Sequence, residues 1–248
     1  MSGKLHKTKG IVLRTIKYGE TSLIVSVLTE TFGIQTYLIN GVRTVSKKGS
    51  GRAAIFQHAA ILDLVVYQNE LNRLQRIKEF KWSFLYQHIF SDVPKNAVAL
   101  FMVELLTKAL KQPETNIELF HFCENAFMNL DNCSEEVMAN FSLFFALHLA
   151  TNLGFGMQNN FSETNKLFDL KEGIFVSSQP THTHFLNDKQ ATITADLLKA
   201  TSFEDLEAIK LNHNFRRSLL LTYINYYSLH IHDFGTMKTL PVLSEILN

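Results

Sequence analysis

The sequence predicts an α+β chain: a small closed barrel of strands, then a helical domain carrying a short β-hairpin insertion. Three observations carry that prediction. Residues 9 to 79 fall into short runs rich in Val, Ile, Leu, Thr and Tyr, several of them separated by glycine-containing turns, as strands require. From about residue 80 the apolar side chains recur at helical spacing. The net charge also reverses near this boundary. At 248 residues, 46% of them apolar, the chain is long enough to bury a substantial core.

The front module opens on GIVLRTIKYGETSLIVSVLTETFGIQTYLINGVRT, broken at Tyr18-Gly19-Glu20 and Thr31-Phe32-Gly33. Strands are expected at about 9–17, 22–29, 34–40, 54–67 and 71–79, and five short strands fit a small barrel. In TSLIVSVL, Leu23, Val25 and Val27 can share one face and Ser22 and Ser26 the other. Ile24 and Leu28 suggest burial on both faces, which leaves the register open. Gly41 to Arg52, GVRTVSKKGSGR, reads as a long, flexible, basic loop joining the third and fourth strands.

Pro94 then opens a helix expected to end near Pro113, and IELFHFCENAFMNL and EEVMANFSLFFALHLATNLGF supply two more. Phe120, Phe122, Phe127, Phe141, Phe144, Phe145 and Phe155 sit at helical spacing within apolar segments, the pattern of a core and not of a base-stacking stripe. Asn165 to Leu186 reads as irregular chain holding a β-hairpin turned at Lys171-Glu172-Gly173. A long helix is expected at about 213–232 and a short one after Pro241. The domain boundary is placed between 79 and 80, giving a barrel over 1–79 and a helical domain over 80–248 with an irregular insertion at about 157–187.

The formal charge of +1 hides two opposite parts. Residues 1–78 hold twelve Lys and Arg against four Asp and Glu, a net +8, and the remainder holds twelve against nineteen, a net −7. Segregation on this scale attracts polyanions to the basic part, with nucleic acid the obvious class.

Other functions find little support. KKGSGR lacks the order of a phosphate-binding loop and does not lead into a helix. GxSxG, HExxH and EF-hand patterns are missing, which disfavours an enzyme, and no catalytic residue or cofactor is expected. Cys123 and Cys133 lie about 15 Å apart if helical, too far for a disulfide. His182 and His184 in PTHTHF lack the further ligands of a structural zinc and read as loop histidines. The N-terminus is basic without the apolar core of a secretory signal, and His148, Thr151, Asn152 and Gly154 interrupt the longest charge-free stretch. A cytoplasmic protein without a membrane anchor is expected.

GIVLR at 10–14, YGET at 18–21, LTETFG at 28–33 and NGVR at 40–43, then ELLTKALKQPETNIELF at 104–120, LGF at 153–155, FDLKEGIF at 168–175, RRSLLLTYINYYSLHI at 216–231 and MKTLPVLSEIL at 237–247 occur in an order that resembles RecO, the bacterial recombination-mediator and DNA-repair family. The resemblance spans nearly the whole chain. It implies an N-terminal OB-fold joined to a helical domain, binding of single- and double-stranded DNA, annealing of complementary strands, and work beside RecR and single-strand-binding protein to help RecA load. Many family members carry a four-cysteine zinc site after LGF. Residues 153–190 hold no cysteine, so no zinc is expected, and packing through Phe161, Phe168, Phe175 and Phe185 is expected to replace it. Some relatives dock the acidic tail of single-strand-binding protein on basic residues of the helical domain. Asn140 to Ser162 has no Lys or Arg, which puts that docking site in question.

The candidate DNA contacts are Arg14, Lys17, Arg43, Lys47, Lys48 and Arg52, as phosphate donors around one edge of the barrel. Tyr18 and Tyr37 are candidate base-stacking rings, with barrel packing the alternative for each. The competing function is a protein-interaction scaffold whose basic barrel binds an acidic partner.

Overall fold

The computed structural model describes residues 4–43, 52–69, 74–112 and 114–246. Two compact units are present, one formed by Met1–Ser91 with Leu110–Met128, the other by Asp92–Ala109 with Asn129–Asn248.

The first unit is built on five strands, β1 (Lys4–Tyr18), β2 (Ser22–Thr29), β3 (Gly33–Ile39), β4 (Ile61–Gln68) and β5 (Gln75–Trp82), closed into a barrel in the order β1-β2-β3-β5-β4, the topology of an OB-fold. Closure depends on β1. Its first half pairs antiparallel with β4 and its second half with β2, and a bulge between Val12 and Arg14 turns the strand from one partner to the other. Gly10 sits where these ladders overlap. A Cβ there would lie 2.5 Å from Val27 Cγ1, so only glycine permits the approach. Val12, Leu23, Val25, Val27, Leu62, Leu64 and Val66 fill the interior, each contributing about 1.5–3 kcal/mol by leaving water.

The pairing settles the register left open in TSLIVSVL: Leu23, Val25 and Val27 face inward, Ile24 is half-buried on the outer wall and Leu28 is buried. The fourth strand is shorter than expected. Residues 54–56 form a 3₁₀ turn whose Phe56 is buried in the barrel core, and β4 begins only at Ile61. Thr15 Oγ1 donates to the Phe56 carbonyl at 2.6 Å and fixes this plug.

The second unit centres on α3 (Glu135–Asn152), capped by Ser134 Oγ, which accepts from Val137 N. α1 (Val93–Ala109), α4 (Asp188–Lys199) and α5 (His213–His230) pack around it, so it is apolar on nearly every face. Phe141 and Phe145 are fully buried, and Phe141 stacks on Phe203 at 4.6 Å, so these rings form core. α2 (Ile117–Asn132) belongs to the first unit as far as Met128, and α6 (Thr239–Ile246) ends the described chain. Pro241 falls in the first turn of α6, where its missing N–H costs nothing.

The insertion is a three-stranded sheet, not a lone hairpin. β6 (Leu167–Asp169) pairs with β7 (Ile174–Val176) on one side and β8 (Phe185–Leu186) on the other. Asp169 Oδ1 accepts from Lys171 N and Glu172 N and shapes the expected turn. Phe175 packs edge-on against Phe168 at 4.8 Å and Phe161 at 5.3 Å, while Phe185 is half-buried in β8. Among the described residues no helix is long and apolar enough to cross a membrane.

Candidate nucleic-acid interface

Arg14, the first residue past the β1 bulge, is exposed on the outer wall opposite Ser26. Lys17 is exposed opposite the buried Leu23, at the end of the barrel where the interior opens. Tyr18 closes the strand with 54% of its surface in solvent. Gly19 then takes φ +55°, a conformation that suits glycine, and turns the chain into β2. Arg43 reaches this turn from the far side of β3: its Nη1 donates to the Gly19 carbonyl at 3.1 Å and its backbone N to Thr21. Lys17, Tyr18 and Arg43 therefore share one barrel end, with Arg14 about 13 Å along the strand from Tyr18. Arg52 is exposed with its guanidinium over the Phe80 ring, 5.2 Å from the centroid. Lys47 and Lys48 lie outside the described residues.

Tyr37 requires a correction. Its ring is fully buried in the barrel core, its hydroxyl has no hydrogen-bond partner, and burial pushes its ionisation far upward. It packs and cannot stack on a base. Tyr18, on the same alternating pattern in the sequence, is the exposed one because β1 runs past the end of the core.

The barrel's cations divide by partner. Lys9 Nζ lies 2.7 Å from Glu124 Oε1, and this contact raises the lysine's ionisation despite partial burial. Lys81 pairs with Asp63 at 3.3 Å and Lys78 with Glu79 at 3.6 Å. Lys9 and Lys81 lie on the wall built from β1, β4 and β5, where a cleft of about 540 Å³ has an apolar floor of Leu64, Val65 and Phe80 and a rim that includes Glu30, Asp63 and Glu79. Arg14, Lys17, Arg43 and Arg52 form no ion pair with any described carboxylate.

Two cations escaped the residue-by-residue reading. Arg76, in the alternating run QRIKEF, projects from β5 beside Leu38 of β3, and reciprocal bonds between Gln75 and Asn69 set the entry of that strand. Arg216 of α5 is half-buried. Its Nε donates to Asn140 Oδ1 at 3.1 Å and its Nη2 to the Leu211 carbonyl at 2.9 Å, so neutral oxygens hold the guanidinium, and desolvation lowers its proton affinity. Thus the cation missing from α3 arrives beside it from α5. A small cleft there is lined by Ser142, His213, Arg216, Arg217 and Leu243, and the Ser142 hydroxyl is buried without a partner.

In the segment after LGF, Phe175 packs against Phe161 and Phe168, and among the described residues no group of three His, Cys, Asp or Glu side chains could hold a metal ion. Burial raises both thiols, that of Cys133 to about 11, which disfavours thiolate chemistry at either.

Residues 1–86 match the family model described as Recombination protein O N terminal, and residues 91–239 match Recombination protein O C terminal. A DNA repair protein RecO of Christiangramia forsetii is 35% identical over 96% of this chain and 98% of its own length. Counterparts of the same name from Flavobacterium psychrophilum, 33% identical over 98% of this chain and 99% of its own, and from Azobacteroides pseudotrichonymphae, 31% identical over 98% and 100%, agree. With both halves matched and full-length relatives above 30% identity, this chain belongs to the RecO family of DNA repair proteins.

Proposed function

We propose that the chain is a non-catalytic DNA-binding and strand-annealing protein that acts as a recombination mediator, with the β-barrel as its DNA-binding module. One observation carries this: four cations of the barrel, Arg14, Lys17, Arg43 and Arg52, have no described carboxylate partner, whereas Lys9, Lys78 and Lys81 do. An unpaired surface cation can release the counterions of a phosphate backbone and so gives affinity without reading sequence. Annealing follows from the same physics. Two complementary strands repel through their phosphates, and a cationic surface that neutralises both lets base pairing proceed with no covalent step.

The partners in this reading are single- and double-stranded DNA, RecR and single-strand-binding protein, upstream of RecA loading. Docking of an acidic protein tail is supported by the cleft beside Arg216. Arg217 and Ser244 continue it into an apolar groove of about 400 Å³ lined by Leu221, Ile224 and Met237.

Binding and annealing titrated across salt test the proposal. If the six candidate cations each meet a phosphate, log K falls against log salt with a slope of about −4 to −5. A flat salt response, or strand loss by metal-dependent cleavage, overturns it. Negligible DNA binding together with tight, charge-dependent capture of an acidic protein would establish the scaffold instead.

A further inference from the structure

Where β1, β2 and β3 end together, two short segments close that end of the barrel. Residues 19–21 form the turn between β1 and β2, and Asn40 to Arg43 carry the chain out of β3. Val42 is the fixed point of the second segment, 1% exposed and packed with the barrel core. Around it Arg43 N donates to the Thr21 carbonyl at 3.0 Å, Ser22 Oγ donates to Asn40 Oδ1 at 3.1 Å, and Arg43 Nη1 donates to the Gly19 carbonyl at 3.1 Å. The first two bonds act on the β2 side of the turn and by themselves leave it to pivot about Thr21. The guanidinium reaches the β1 side and removes that pivot. None of the other described candidate cations, Arg14, Lys17 and Arg52, makes a described side-chain bond to the backbone.

What the turn carries makes its aim matter. Lys17 and Tyr18 lead into it from β1 and Glu20 stands within it, all three exposed. A cation and a ring favour a nucleic-acid strand, and a carboxylate repels it. These groups lie within about 10 Å of one another along the chain, inside a Debye length, so the strand meets both signs unless the turn is held in one pose. We propose that Arg43 is a positioning residue: its bond to the Gly19 carbonyl holds the β1–β2 turn with Lys17 and Tyr18 toward the strand and Glu20 away from it. This rests on the DNA-binding reading above and gives Arg43 a role beyond its charge. A guanidinium has five N–H groups and is always charged, so donating one of them to a carbonyl leaves its attraction for a phosphate in place.

The test uses the full chain, a fluorescent single-stranded DNA titrated across salt, and backbone NMR order parameters of the free protein. Arg14→Ala, which removes one cation and no described bond, is the control. Both Arg14→Ala and Arg43→Ala should flatten the salt slope by about 0.7, the share of one phosphate on a single strand. Arg43→Ala should lose about fivefold more affinity than Arg14→Ala at every salt concentration, the worth of one neutral hydrogen bond. Its order parameters at Gly19 and Glu20 should fall from about 0.85 to below about 0.6. Adding Glu20→Gln should return most of the extra loss to Arg43→Ala and little to Arg14→Ala, a difference that a merely destabilised barrel would not show. An Arg43→Ala protein that matches Arg14→Ala in affinity, or keeps the order of the turn, overturns the positioning role and leaves charge-driven DNA binding intact. Equal recovery of both variants by Glu20→Gln does the same. A wild type that binds no strand overturns this proposal and the DNA-binding reading together.

Discussion

The two halves of β1 use the same kind of residue for opposite ends. In the first half Lys9 faces a carboxylate-bearing helix and makes a 2.7 Å contact with Glu124, whose other oxygen lies 3.5 Å from His121 Nδ1. In the second half, past the bulge, Arg14 and Lys17 face solvent and no described acid. A cation beside an acid fastens two elements and has little field left over. A cation without one contributes its charge to whatever approaches. The difference shows that the +8 of residues 1–78 is not a count of DNA contacts; part of it is spent on the fold.

The widest break in this comparison comes from removing the four unpaired candidates together. Arg14→Ala, Lys17→Ala, Arg43→Ala and Arg52→Ala together should shrink the salt slope by about 3 and weaken DNA binding on the order of 100-fold at physiological salt, as fluorescence anisotropy across a salt series would report. Thermal stability should change little, since the only described hydrogen bond from these side chains is that of Arg43 to Gly19.

Short runs of β-branched and apolar residues, several of them separated by glycine turns, made the five strands legible with only their ends misplaced, and the Phe-rich helices read as core because periodicity reports which side faces inward. Periodicity does not report where a strand outruns its core. Tyr18 and Tyr37 look alike in the sequence and lie at 54% and 0% exposure because one falls beyond the barrel's end and the other at its centre. Helix α4 was missed because its buried face is made of Ala191, Thr194, Ala195 and Leu197, mostly small or polar residues that carry little hydrophobic signal. Thr194 is tolerated there because it bonds Gln190 O and Tyr223 OH. Arg76 and Arg216 were invisible as site residues because their neighbours, Leu38 and Asn140, are distant in sequence.

The second unit repeats the contrast with an acid. Glu104 accepts from Lys238 N, Thr239 N and Thr239 Oγ1 at 2.7–2.8 Å, fastening the start of α6, whereas Arg216 is held by neutral oxygens alone. Burial would raise the Glu104 carboxyl, but these bonds and nearby Lys108 outweigh it and hold it below its ordinary value of 4.5. A depressed folded-state pKa gives stability that is complete above the unfolded value and drains away as pH falls through the folded one. Glu104→Ala should therefore cost about 2 kcal/mol in urea unfolding at neutral pH. Its deficit against the wild type should shrink in acid below pH 4.5. Replacing Tyr37 by Phe sharpens the pair of tyrosines instead. Removing a buried hydroxyl with no partner should stabilise the barrel by about 1 kcal/mol and leave DNA affinity unchanged.

The smallest effect isolates the fastened half of β1. Lys9 keeps 40% of its side chain in solvent, so water screens much of its pairing with Glu124, and Lys9→Ala should cost only about 0.5 kcal/mol despite the short contact. The sign with pH is fixed: Glu124 raises the lysine, so this stabilisation is present below its ordinary value of 10.5 and lost only as pH climbs through the higher folded one. DNA affinity should stay within about twofold of wild type, because a cation already neutralised by Glu124 releases few counterions. Glu124→Gln makes the opposite demand. It leaves Lys9 charged without its nearest acid and with only Glu30 and Asp63 acting on it, so the protein should become slightly less stable while its DNA binding grows more salt-dependent, and a salt slope steepened by less than about 0.9 would mark the partial transfer of one cation from the fold to the ligand.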